Sequence, residues 1–129
     1  MTTISSSAGP SGELTLQTLA MPADTNPNGD IFGGWLLSQM DLAGGVLARR
    51  LSKGRIATVA ISDMAFLRPV PVGAVVSCYT TLLETGRSSM RINIEVWIQV
   101  EGSDDWAKVT EGDFVYVAIS PEGKTRAVR

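Results

Sequence analysis

From Gly33 to Ser52 the chain reads GGWLLSQMDLAGGVLARRLS, and this run constrains the fold more than any other. Leu36, Leu37, Met40, Ala43, Leu47 and Leu51 recur at the spacing of one helical face, which predicts a helix over 33–52. Trp35, Leu42 and Val46 fall on the opposite side. A helix that is apolar nearly all round has to be covered on more than one side. Gly44 and Gly45 sit in mid-helix, where each costs about 1 kcal/mol relative to alanine. They are read as points where another backbone comes close. Ser52 to Arg55 (SKGR) supplies the stop, with Gly54 as the breaking residue and a basic last turn.

The remaining chain is strand-like. Glu13 to Ala20 (ELTLQTLA) alternates apolar and polar residues. Met21 to Asp30 (MPADTNPNGD) is a loop by its Pro, Asn, Asp and Gly content. Ile56 to Leu67 is a rough alternation, Arg68 to Gly73 a turn with two prolines, and Ala74 to Leu83 a strand. Met90 to Val100 has strict period 2: Met90, Ile92, Ile94, Val96, Ile98 and Val100 face the core, and Arg91 to Gln99 the wetter side. Lys108 to Ile119 is a last strand with Gly112 as its bulge.

One strand, one long helix and four strands joined by short connections predict antiparallel neighbours. The expected class is α+β: a five-stranded antiparallel sheet wrapped around one long central helix, spanning residues 13–129 as a single domain after a flexible segment 1–12. The second apolar side of the helix calls for a partner copy, hence a symmetric oligomer.

Composition removes several functions. The 129 residues fit one domain. A net charge of −2 argues against nucleic acid or an anionic membrane as partner. No stretch reaches the ~20 apolar residues of a membrane span, so no integral membrane contact is expected. The first dozen residues lack the basic and apolar regions of a signal peptide. With Cys78 as the lone cysteine, a cytoplasmic protein is expected. The chain contains no histidine, which excludes Ser-His-Asp and Cys-His catalysis, histidine-based dehydration and His-ligated metal. No metal or organic cofactor is expected, and a carboxylate is the natural remaining general base.

Several residues could then carry chemistry. Gly33 and Gly34 open the helix, where the first N–H groups lack internal partners and face the positive end of the helix dipole. Such a site suits a carbonyl turning tetrahedral; equally, two glycines shape a tight entry. Asp41 lies eight residues on, about 12 Å along the axis, at the border of the apolar stripe, its side chain leaning back toward the glycines. It is either a general base or half of a salt bridge to a strand residue such as Arg68 or Arg91. Asn26 and Asp30 are ordinary turn residues, or one amide positions water or a carbonyl. Cys78, in mid-strand, reads as a small buried hydrophobe. The turn Gly86-Arg87-Ser88-Ser89 and Arg68 are candidate phosphate contacts, or solvated turns.

The run TLAMPADTNPNGDIFGGWLLSQMD closely resembles the signature of the YciA-type acyl-CoA thioesterases, a hotdog-fold family, and AISDMAFLRPVPVGAVVSCY and TGRSSMRINIEVW resemble its following strands. The resemblance runs from about Leu14 to Arg126. It implies a hotdog fold, homodimers with sites at the subunit interface, and trimers of dimers. It implies hydrolysis of acyl-CoA to free acid and CoA, with CoA entering as part of the substrate. Asp41 would be general base or nucleophile, Gly33 with Gly34 would hold the thioester oxygen, and Asn26 would come from the neighbouring subunit. Arg68, Arg87, Ser88 and Ser89 would meet the CoA phosphates. The connection Glu101 to Trp106 is short for the family and the C-terminal tail brief. The rival reading is a non-catalytic acyl-CoA binding or sensing module.

Overall fold

The computed structural model describes residues 9–99 and 102–129. Its elements are β1 (Glu13–Leu19), a 3₁₀ turn (Pro22–Asp24), α1 (Gly33–Ser52), β2 (Ile56–Ile61), β3 (Val75–Thr85), β4 (Ser89–Gln99) and β5 (Trp106–Ala118). The strands form one five-stranded sheet in the order β1-β3-β4-β5-β2, every neighbouring pair antiparallel. Strands β3 to β5 are a meander on short connections. β1 and β2, which flank the helix in sequence, lie at opposite edges, about 19 Å apart. A 20-residue helix, about 30 Å long, bridges them across one face.

The buried face of α1 is Leu36, Met40, Ala43, Gly44, Ala48 and Ser52. It packs on Ile92, Ile94, Val96, Phe114 and Tyr116, all fully buried. Trp35, Leu37, Leu47 and Leu51 flank that core half-buried, while Leu42 and Val46 remain 58% and 44% exposed. The inward half of the β4 alternation is thus as expected, but the outward half is drier. Glu95 and Trp97 are buried, and the Trp97 indole N–H donates to Glu95 Oε1 at 2.8 Å.

Three details differ from the sequence reading. The residue that ends α1 in the left-handed conformation is Lys53 (φ 56°), whose N–H donates to the Arg49 carbonyl at 2.8 Å. Gly54 is small for another reason: a Cβ there would lie 2.5 Å from the Arg126 guanidinium. β2 stops at Ile61, and the chain then follows β5 through scattered bonds, among them Ser62 N–H to the Asp113 carbonyl, Thr110 Oγ1 to the Ala65 carbonyl and Leu67 N–H to that of Val109. The β5 irregularity falls opposite Val96/Trp97, while Gly112 pairs regularly with Ile94 and leaves room for the Met64 side chain. Of the segment 1–12, residues 1–8 lie outside the described part, as do Val100 and Glu101; Ser11 is held, its N–H donating to Glu95 Oε1 at 3.2 Å.

Candidate active site

The start of α1 carries no side-chain cap and no acidic residue in its first turn. Trp35 and Leu36 donate to the Phe32 carbonyl, and no acceptor among the described residues takes the N–H of Gly33 or Gly34. Neither glycine has positive φ. A Cβ on Gly33 would reach only the Phe66 ring, at 3.5 Å, and one on Gly34 would meet nothing within 4 Å. The tight-entry reading therefore loses its ground: nothing among the described residues requires glycine there. Two free donors at a positive helix end, open to an approaching group, are what an oxyanion needs.

Gly33 sits between two hollows. One, of about 440 Å³, is bounded by Gly34, Leu37, Ile61, Met64 and Phe66. The other, of about 400 Å³, adds Asn26, Asp30, Leu36, Phe66 and Arg68. Asn26 and Gly33 are thus neighbours in one chain. Asn26 Oδ1 accepts the N–H groups of Asn28 (2.9 Å) and Asp30 (3.1 Å), which shapes the loop. Its side-chain amide N–H groups remain as donors.

Asp41 is not in either hollow. It lines a third, of about 290 Å³, with Leu42, Gly45, Val46, Arg49, Thr58 and Tyr116. Thr58 and Tyr116 are cross-strand partners in the β2–β5 ladder, so their hydroxyls reach the helix side by side. Thr58 Oγ1 donates to Asp41 Oδ1 at 2.7 Å, and the Tyr116 hydroxyl donates to the same oxygen at 3.1 Å. No cation pairs with Asp41 among the described residues: Arg91 pairs with Asp113 at 2.9 Å, and Arg68 Nε donates to the Lys108 carbonyl. The salt-bridge reading of Asp41 falls, and the carboxylate is held by neutral donors instead. Thr58 and Tyr116 escape sequence reasoning because the contact needs the β2–β5 register. The available signal was Gly44. What comes close there is the Tyr116 side chain, not a backbone: a Cβ on Gly44 would lie 2.2 Å from its hydroxyl oxygen.

Burial, then the Asp41 charge and hydrogen bond, push the Tyr116 phenol above its ordinary value. Burial pushes the Cys78 thiol up to about 12, so this 1% exposed side chain is packing, not a nucleophile.

The four proposed phosphate contacts do not form one site within a chain. Arg68 stands by Gly33 and bonds to Lys108, near the start of β5. The Arg87–Ser89 turn lies past the other end of β5, about 30 Å of strand away: Ala118 N–H donates to the Ser88 carbonyl, and Val128 N–H to that of Arg87.

The thioesterase superfamily model matches residues 28–103. The acyl-CoA thioester hydrolase YciA of Escherichia coli is 55% identical over 122 residues, covering 92% of each chain. Among solved structures, the hexameric thioesterase y2039 of Yersinia pestis superposes with a TM-score of 0.88 at 53% identity, over 93% of this chain and 98% of that one. The hexameric hotdog-fold thioesterase Cj0915 of Campylobacter jejuni gives 0.86 at 40% identity, over 92% and 91%. In sequence and in fold, this chain belongs to the thioesterase superfamily, as a hotdog protein of the YciA-type acyl-CoA thioester hydrolases.

Proposed function

We propose that this chain hydrolyses acyl-CoA to a free acid and CoA in sites shared between two copies, with Gly33 and Asn26 from one and Asp41 from the other. The observation that carries this is the separation of the parts. Gly33 and Asp41 are about 12 Å apart on one helix and open into different hollows, so one chain cannot bring both to one carbonyl. Two helices side by side and antiparallel bring Gly33 of each against Asp41 of the partner subunit. The surface for this contact is apolar and open. Leu42, Val46, Val59 and Ile61 are 58%, 44%, 56% and 43% exposed beside the hollows, and β2 has one unpaired edge. Three such dimers would make six copies, and the Yersinia and Campylobacter proteins are hexameric.

In this site the Gly33 N–H, with Gly34 behind it, holds the thioester oxygen at the positive helix end. Asp41 of the partner subunit takes a proton from water, whose oxygen bonds to the carbonyl carbon. Collapse of the tetrahedral adduct breaks the C–S bond, and the proton passes from Asp41 to the departing thiolate. The Asn26 amide donates to water or to the carbonyl. Arg68 meets the CoA phosphates directly. The Arg87–Ser89 turn reaches them from the partner subunit, whose antiparallel helix carries it past the Gly33 end. The reading requires no metal or organic cofactor, and it places the enzyme in the cytoplasm. No helix of the described residues is long and apolar enough to cross a membrane.

The test is thiol release from a panel of acyl-CoA esters. Asp41→Asn is expected to fold and assemble normally and to lose about a hundredfold or more in kcat. Near-normal turnover in that variant would show the mechanism to be wrong. Binding without thiol release in the unaltered protein would favour the acyl-CoA binding module.

A further inference from the structure

We propose that Tyr116 is a positioning residue for the Asp41 carboxylate, and that position 44 is glycine to admit it. The proposal rests on the reading of Asp41 as the general base.

One hydroxyl makes two contacts with the same residue. The one Tyr116 hydroxyl proton is shared between the Asp41 main-chain carbonyl at 2.9 Å and Oδ1 at 3.1 Å, a three-centre bond. It therefore ties the carboxylate to the backbone of its own helix turn. An aspartate at the edge of a helix otherwise exchanges among staggered rotamers. With Oδ1 occupied from one side, Oδ2 stays available to water.

The anchor is rigid for reasons unconnected with Asp41. The Tyr116 side chain is fully buried and stacked with Phe114, with ring centroids 6.3 Å apart and an interplanar angle of 16°. A buried phenol needs a hydrogen-bond partner, and the half-buried helix edge at Asp41 is where it finds one. Burial, then the adjacent carboxylate, push the phenol above its ordinary value, which favours the protonated, donating form.

The helix has been shaped to receive it. A Cβ at position 44 would lie 2.2 Å from the hydroxyl oxygen, 2.7 Å from the ring carbon bearing it and 2.7 Å from Ile94 Cδ1. Any side chain there displaces the hydroxyl. Gly45, next along the helix, has only Ile56 Cδ1 at 3.8 Å and no such reason to be small.

A double-mutant cycle separates positioning from packing. Tyr116→Phe keeps the ring and removes one oxygen. It is expected to assemble normally and to lower kcat about tenfold, with KM within about twofold of normal. In the Asp41→Asn background the same change should alter the residual rate by less than about twofold, because there is no carboxylate left to position. Should Tyr116→Phe fail to assemble, Gly44→Ala reaches the same hydroxyl from the helix side and must give the same loss confined to kcat. Normal kcat in Tyr116→Phe beside an inactive Asp41→Asn overturns the proposal and leaves the general base standing. Equal losses in both backgrounds, or failure of both Tyr116→Phe and Gly44→Ala to fold, assign Tyr116 to packing and overturn it too. Normal turnover in Asp41→Asn removes the general base itself.

Discussion

Gly44 lies directly under the Tyr116 hydroxyl, so closely that a methyl group on it would stand 2.2 Å from the oxygen. Helix propensity alone favours alanine there by about 1 kcal/mol. Overpacking against a fixed ring and Ile94 costs about 1–3 kcal/mol. The clash wins, and Gly44→Ala is expected to lower the thermal midpoint by several degrees. A scanning calorimeter reads this directly, and a raised midpoint would show that the ring gives way freely.

A site shared between copies makes a prediction that a site within one chain does not. Asp41→Asn chains and Asn26→Ala chains, each impaired alone, should complement when unfolded together and reassembled. Half of the random dimers are mixed, and each of these keeps one intact site of two, so about a quarter of normal activity should return. No recovery on mixing would place all parts of the site in a single chain.

Arg126 ties the C-terminal segment to the end of α1. Its guanidinium donates to the carbonyls of Ile119 (2.9 Å), Ser52 (3.0 Å) and Arg55 (3.2 Å). Charged donors on carbonyls contribute about 1.5–3 kcal/mol each where buried, and this side chain is only partly so. Arg126→Ala is expected to destabilise the fold by about 2 kcal/mol. Hydrogen exchange should show the Val128 amide, which bonds to the Arg87 carbonyl, losing its protection first.

Glu111 accepts a hydrogen bond from Lys108, which holds its carboxyl below the ordinary 4.5; the Asn93 amide helps, against the cost of burial. A carboxyl whose value is depressed by folding stabilises the protein above its unfolded value and loses that contribution as pH falls through the folded one. Glu111→Gln should therefore be less stable than the unaltered protein near neutrality and equal to it in acid below the depressed value. The group is mostly exposed, so the gap should stay below about 1 kcal/mol. Chemical denaturation across that range measures it, and a pH-independent gap would rule out the ion pair as its cause.

Local periodicity revealed the helix to the residue and the core face of β4, because both depend on neighbours a few positions apart. It also located Gly33 and Asp41 on their helix. It could not say that the two open into different hollows, because that depends on which parts of the sheet flank each turn. The same limit hid Thr58 and Tyr116, whose pairing needs β2 and β5, far apart in sequence, to meet at an edge. Arg68 and the Arg87 turn looked alike as basic turns, yet the length of β5 separates them. Gly54 and Gly112 are small because Arg126 and Met64 lie over them, and contacts of that kind leave no periodic trace.

The placement of β1 and β2 at opposite edges also orders events during synthesis. The helix and the glycines that open it are synthesised before any of β3 to β5, so at that point the apolar face of α1 has no sheet to rest on. The sheet it rests on comes from later residues, and both edges close by pairings between distant parts of the chain, Glu13 with Thr80 and Ile56 with Ala118. Thr58 sits on the second of these edges, so Asp41 has its full set of donors only when β2 is paired with β5. The same edge strand carries Val59 and Ile61, 56% and 43% exposed, so the strand that completes the carboxylate's donors is also the one that the proposed dimer would cover.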